Sequence, residues 1–139
     1  MQAMKTTITK EVVAELDRSD FVNGVFGLMF PLCVEPAIFA FASRLSSDYK
    51  GGYWQFYSLG NGGFYMAPDG DCFPVTSENG YRAEMSGEAL GICACLYAFS
   101  HLSFSEKEAL AKVCGDHYRL LYDYVFEHPE SADILRVID

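Results

Sequence analysis

The segment from Tyr53 to Pro68 leaves the backbone the fewest choices. In Tyr53-Trp54-Gln55-Phe56-Tyr57, Trp54 and Phe56 fall on one side of an extended chain and Tyr53, Gln55 and Tyr57 on the other, because successive side chains of a strand point to opposite faces. Gly60-Asn61-Gly62-Gly63 follows, and an Asn-Gly step supplies the positive φ angles of a tight hairpin turn. Phe64-Tyr65-Met66-Ala67 then returns as a second strand until Pro68, which has no N–H to give to a ladder. Turn chemistry at Asp69-Gly70-Asp71 and Asn79-Gly80 brackets two further extended runs, Phe73 to Ser77 and Tyr81 to Met85. The expectation is a three- or four-stranded antiparallel meander.

The flanks change period. Lys10 to Gly27 is weakly defined, but Pro36 suits the first turn of a helix in which Ile38, Phe39, Ala42 and Leu45 recur at helical spacing. Ser86 reads as an N-cap with Glu88 in the first turn of a helix carrying Leu90, Ile92, Cys93, Leu96, Tyr97 and Phe99, apolar nearly all round and hence central. Ser105 with Glu108 three residues on is a capping-box signature. It opens a helix with the stripe Leu110, Val113, Cys114, His117, Leu121, Tyr124 and Val125. Pro129 disfavours helical geometry at His128 and suits the start of a last short helix with Leu135 and Ile138 inward. Four to five helices beside grouped strands make an α+β fold. With no repeat and no linker, residues 1–139 read as a single domain.

Length and charge exclude several classes. At 139 residues, half of them apolar, the chain can bury a proper core. A net charge of −9 disfavours nucleic acid as a direct ligand, since such binders neutralise phosphates with a basic stripe. Met1 to Lys10 lacks a secretory signal pattern. The apolar run Phe21 to Ala42 is interrupted by Pro31, Glu35 and Pro36, which makes it a poor membrane span. Five cysteines leave at least one unpaired. This fits buried free thiols in a reducing compartment, and a cytoplasmic location is expected.

Candidate chemistry is sparse. A phosphate-cradling loop needs a following helix, whereas Gly60-Asn61-Gly62-Gly63 leads into a strand. Cys93 and Cys95 lack metal-ligand spacing, so neither metal nor cofactor is expected. Cys114 and His117 could form a nucleophilic pair, and His117 or His128 could serve a hydrolase, but both residues of the pair share an apolar helix stripe. Tyr53, Tyr57 and Tyr65 on an exposed sheet face could stack bases; a nucleic-acid-binding module using that tyrosine face is the alternative reading. No catalytic constellation emerges.

The acidic excess is spread almost evenly along the chain, and its C-terminal share forms one candidate face. Asp123, Glu127, Glu130, Asp133 and Asp139 stand against Arg136 alone over the last stretch. Asp123 and Glu127 are one helical turn apart, but Pro129 breaks the row.

The run Tyr49-Lys50-Gly51-Gly52-Tyr53-Trp54-Gln55-Phe56-Tyr57, continued by Asn61-Gly62-Gly63-Phe64-Tyr65-Met66-Ala67-Pro68, closely resembles the signature of the ArdB/KlcA family of antirestriction proteins. Phe21, Phe26-Gly27, Ser86 to Leu96, Glu127-His128-Pro129-Glu130 and Arg136-Val137-Ile138-Asp139 extend the likeness over nearly the whole chain. The resemblance implies a small cytoplasmic, non-enzymatic protein of mobile elements that protects incoming DNA from the host's type I restriction enzymes. Another antirestriction family, ArdA, mimics DNA with a long acidic surface, but an interrupted acidic helix provides no such array. The expected partner is therefore the host restriction-modification complex or an associated host protein. The expected contact residues are Tyr53, Asn61 and Tyr65 on the hairpin, with Asp123, Glu127, Glu130, Asp133 and Asp139 at the C-terminus.

Overall fold

The computed structural model describes residues 7–139. The first six residues of the stretch read for a signal sequence, Met1 to Lys10, lie outside the described residues. Lys10–Val12 forms an exposed strand, β1, and a 3-10 turn at Glu15–Asp17 leads into helix α1, Arg18–Phe26. Gly27 ends α1 with a φ of 62°, a conformation that glycine adopts without steric cost. A π-helical turn at Phe30–Val34 precedes α2, Glu35–Leu45, which carries Pro36 in its first turn as expected. The axis bends by 92° between Glu15–Phe26 and Phe30–Leu45. The apolar run is thus a helical corner whose Val22, Phe26, Phe30, Val34, Ile38 and Ala42 enter the core. Among the described residues, no single helix is long and apolar enough to cross a membrane.

All four strands expected from the sequence form: β2 at Trp54–Leu59, β3 at Phe64–Pro68, β4 at Phe73–Thr76 and β5 at Arg82–Met85. They do not make one meander. β1, β2 and β3 build a three-stranded antiparallel sheet in that order, and β4 with β5 is a separate hairpin. The third strand of the main sheet thus comes from the N-terminal segment. The hairpin turn also differs in detail. The Gly62 N–H donates to Leu59 O at 3.0 Å and the Leu59 N–H to Gly63 O at 2.9 Å; in this turn only Gly62 has a positive φ, 93°. The loop is therefore three residues long with glycine in the left-handed position, where a two-residue turn would have needed two positive angles.

Three helices complete the fold: α3 at Gly87–Leu102, α4 at Glu108–Val125 and α5 at Ser131–Ile138. Ser86 caps α3, its Oγ accepting the Ala89 N–H at 3.1 Å. α3 is buried along most of its length and lies directly on β3. A Cβ at Gly87 would meet Pro68 O at 2.1 Å, and one at Gly91 would meet the Ala67 Cα at 2.4 Å. One turn further on, Cys95 Sγ sits 3.5 Å from both Met66 N and Met66 O. α4 starts at Glu108, three residues after the expected cap, because the Ser105 hydroxyl is taken by the Lys107 N–H in a local turn. Its buried stripe matches expectation except at Val113, which is half-buried. In α5, Ile134 and Val137 face inward, while Leu135 and Ile138 are half-buried. The Tyr97 hydroxyl donates to Val137 O, and the Asn79 amide donates to the carbonyls of Arg136 and Asp139; these bonds set the rotation of the helix. Cys93, Cys95 and Cys114 are buried free thiols, but Cys33 is half-buried and Cys72 exposed, on the loop before β4.

Candidate functional site

The two faces of the β2–β3 hairpin are both covered, which changes the standing of its tyrosines. On one face Phe56 and Phe64 pack edge-on to each other and to Phe30 from the helical corner. On the other, Tyr65 is fully buried; its ring stacks on Tyr57 at 4.6 Å and on Tyr124 of α4 at 5.8 Å. The strand period correctly groups Tyr57 with Tyr65. It does not reveal that α3 and α4 close over them, so Tyr65 is not the exposed contact residue expected. Nor does a face with Tyr65 sealed beneath helices offer a platform for bases. Asn61 serves the turn itself: its Oδ1 accepts the Gly63 N–H and its amide donates to Leu120 O of α4, both at 2.9 Å. Tyr53 stays open, at 46% exposure.

Behind Tyr65 lies a polar hub. Glu88 accepts from Lys10 Nζ at 2.6 and 2.7 Å, from the Tyr65 hydroxyl at 3.0 Å and from His128 Nε2 at 2.9 Å. These bonds, that from His128 first, outweigh desolvation and hold the carboxyl at about 2. Burial, together with the Glu88 charge, pushes the Tyr65 phenol up. The hub ties β1, β3, α3 and the C-terminal segment together.

The Cys114–His117 pair is packed rather than poised. His117 lies against Phe26 at 5.0 Å and Phe99 at 6.0 Å. Burial pushes the imidazole down and the Cys114 thiol up to about 11. Both shifts oppose a thiolate–imidazolium couple. Among the described residues, no group of three or more His, Cys, Asp and Glu side chains could hold a metal ion.

The five C-terminal acids separate in space and in role. Glu130 accepts from the Ser86 N–H at 2.9 Å and from the Ser86 hydroxyl, closing the start of α3. Asp133 accepts from the Tyr81 hydroxyl at 2.5 Å. Asp123 and Asp139 are exposed and Glu127 is half-buried. Two of these five acids are therefore engaged within the fold.

A cleft of 480 Å³ lies where the 3-10 turn, α1, the helical corner and β2 converge, lined among others by Glu15, Arg18, Asn23, Leu28, Glu35 and Phe56. The Arg18 guanidinium carbon sits 4.7 Å from the centre of the Phe56 ring and 4.9 Å from that of Tyr53. Its Nη2 donates to the Tyr53 hydroxyl at 2.6 Å, and that hydroxyl donates to Glu15 at 3.2 Å. Arg18 Nε is shut off from solvent, with no acceptor among the described residues. Burial raises the Glu35 carboxyl. No sequence motif marks this site; its one trace is a single arginine among Glu15, Asp17 and Asp20. The cleft joins Tyr53, an expected contact residue, to residues that sequence reasoning missed.

A family model described as antirestriction protein matches residues 47–139. The KlcA antirestriction protein of Escherichia coli is 35% identical, with both chains covered in full. The chain belongs to the antirestriction protein family. An uncharacterized E. coli K12 protein, YfjX, is 44% identical over 78% of this chain and 72% of its own. A solved structure of the KlcA and ArdB proteins superposes with a TM-score of 0.89 at 36% identity over all of both chains. It is described as showing a novel fold and antirestriction activity against type I DNA restriction systems in vivo but not in vitro. The α+β architecture is thus the ArdB/KlcA fold. The segment matched by the family model holds the hairpin, Glu88 and the C-terminal acids. The cleft takes Glu15, Arg18 and Glu35 from before that segment, within the part covered by the full-length relatives.

Proposed function

We propose that this protein protects incoming mobile-element DNA from host type I restriction by binding a host protein, either the restriction-modification complex or a factor associated with it, and that it acts without catalysis. The observation that carries the reading is the full-length likeness to KlcA and ArdB, 36% identical at a TM-score of 0.89. Activity of those proteins in vivo but not in vitro favours a partner or condition present in the cell over simple blockade of the purified enzyme.

Protein contact is preferred to duplex mimicry on the arrangement of charge. A decoy needs an extended row of carboxylates at phosphate-like intervals. Glu130 turns its carboxylate onto Ser86 and Asp133 onto Tyr81, so contacts within the fold, and not the spacing of a duplex, set where these two charges lie. The cytoplasm, where restriction of entering DNA takes place, is the corresponding location. The contact surface combines Tyr53 and the adjoining cleft with the outward acids Asp123, Glu127 and Asp139.

The test is transfer of unmodified plasmid by conjugation into cells with an active type I system, with and without this protein. Recovery of transconjugants to near the level of a non-restricting host is expected. Equal restriction in both strains overturns the reading.

A further inference from the structure

Arg18 differs from every other described lysine and arginine: they are exposed, and it alone is half-buried. Lys10, Arg44, Lys112 and Arg119 each have a carboxylate within ion-pairing distance; among the described residues Arg18 has none. In a chain with 19 acids against 10 bases, an unpaired half-buried cation calls for explanation, because withdrawing a charge from water without a counter-charge is costly. Packing against Phe56 and Tyr53 fixes the guanidinium. Among the described residues its side chain makes one hydrogen bond, to the Tyr53 hydroxyl, although a guanidinium carries about five N–H donors. A rigid planar fork with spare donors beside an open cleft is pre-organised for a planar anionic acceptor.

Carboxylate and phosphate both meet that description, and the surroundings choose between them. Glu15, Asp20 and Glu35 also line the cleft. A nucleic-acid strand would bring successive phosphates against these carboxylates, and the repulsion would offset what Arg18 gains. A protein segment with one acid beside one base satisfies both signs, and Glu35, already partly desolvated, gains a cation. Leu28, 73% exposed at the cleft, adds apolar area at the edge.

We propose that the cleft docks a mixed-charge segment of a host protein, in which an aspartate or glutamate seats on Arg18 and an adjacent lysine or arginine seats on Glu35. This rests on the reading that the protein acts by protein contact, and it names the chemistry of the partner. The probe is a capped Gly-Glu-Lys-Gly tetrapeptide titrated into the full-length protein while the Arg18 Nε–H resonance is followed by NMR. A saturable shift is expected. It should weaken by about tenfold when glutamine replaces the peptide's glutamate, and by about tenfold in Glu35→Gln, whose free Arg18 resonance should match that of the unmodified protein. Absence of a saturable shift, an equal response to the glutamine peptide, or tighter binding of inorganic phosphate or oligothymidylate overturns the proposal. If the protein protects DNA in the conjugation assay but the peptide does not bind, the docking chemistry alone falls. Binding without protection instead removes the functional reading and leaves the site standing.

Discussion

Glu88 and His128, 40 residues apart in the chain, meet with Oε1 and Nε2 2.9 Å apart. The other imidazole nitrogen, Nδ1, accepts the Glu130 N–H at 3.0 Å. That bond assigns the ring proton to Nε2, so a neutral imidazole already donates to the carboxylate. With Lys10 and Tyr65 also donating, Glu88 is the point at which the N-terminal strand, the sheet, the central helix and the C-terminal segment are joined.

The hub predicts a pH dependence of stability. Glu88 is held at about 2, below its ordinary 4.5, so its contribution is fully present above pH 4.5 and is lost as the pH falls from there towards 2. Glu88→Gln should unfold more easily at neutral pH by about 1–3 kcal/mol, the cost of weakening a partly buried charged network. It should also flatten the acid limb of stability. Urea denaturation at a series of pH values checks this; an unchanged acid limb in the variant would contradict the assignment.

A second prediction concerns the contact of α3 with β3. A Cβ at Gly91 would fall 2.4 Å from Ala67 Cα and from Met66 O, and neither backbone can yield without moving a helix or a strand. Gly91→Ala should cost about 3 kcal/mol or more. Gly24, inside α1, has nothing within 4 Å of its notional Cβ and no positive φ. Gly24→Ala should therefore stabilise the protein by about 0.5–1 kcal/mol. Opposite signs in parallel thermal melts are the expected result.

These contacts also show how far the sequence could be read. β2, β3 and the turn were legible because the alternation of Trp54 and Phe56 against Tyr53 and Tyr57, and the Asn61-Gly62 step, are local signals. β1 was not, since Lys10, Glu11 and Val12 are exposed and become a strand only by pairing with Leu59, Ser58 and Tyr57. Alternation placed Tyr65 with Tyr57 but could not say that Tyr124 would lie across it, and so mistook a buried ring for a surface one. Glu130 and Asp133 looked like free surface charge because their partners, Ser86 and Tyr81, are distant in sequence. The Arg18 cleft left almost no local trace, being assembled where α1, the helical corner and β2 converge.

His117 gives a third prediction, with the pH window nearer neutrality. Burial among Phe26 and Phe99 lowers its pKa from 6.5, against a smaller opposing effect of Asp116, and its Nδ1 has no hydrogen-bond partner among the described residues. The unfolded chain therefore takes up a proton near pH 6.5 that the folded one resists, and stability falls as the pH drops below that value. His117→Phe removes both the proton uptake and the unpaired nitrogen. At pH 5 it should be more stable than the unmodified protein by about 1 kcal/mol, with the stability difference shrinking towards pH 8. A variant that keeps the original pH slope between 6.5 and 5 would show that another group is responsible.

The C-terminal acids allow contact and structure to be separated. Asp123 and Asp139 are exposed, so Asp123→Lys and Asp139→Lys should change stability by no more than about 0.5 kcal/mol. Glu130 closes the start of α3 through Ser86, and Glu130→Lys should cost about 1–2 kcal/mol through the lost cap. The conjugation assay then discriminates between the two roles. If the outward acids meet the partner, the combined Asp123→Lys, Glu127→Lys and Asp139→Lys variant loses protection while its melting temperature stays near that of the unmodified protein. Full protection by this triple variant would confine the contact to Tyr53 and the Arg18 cleft. Loss of protection in Glu130→Lys must be read beside its melting curve, because a frayed α3 loosens the same hub that places β1 against the sheet.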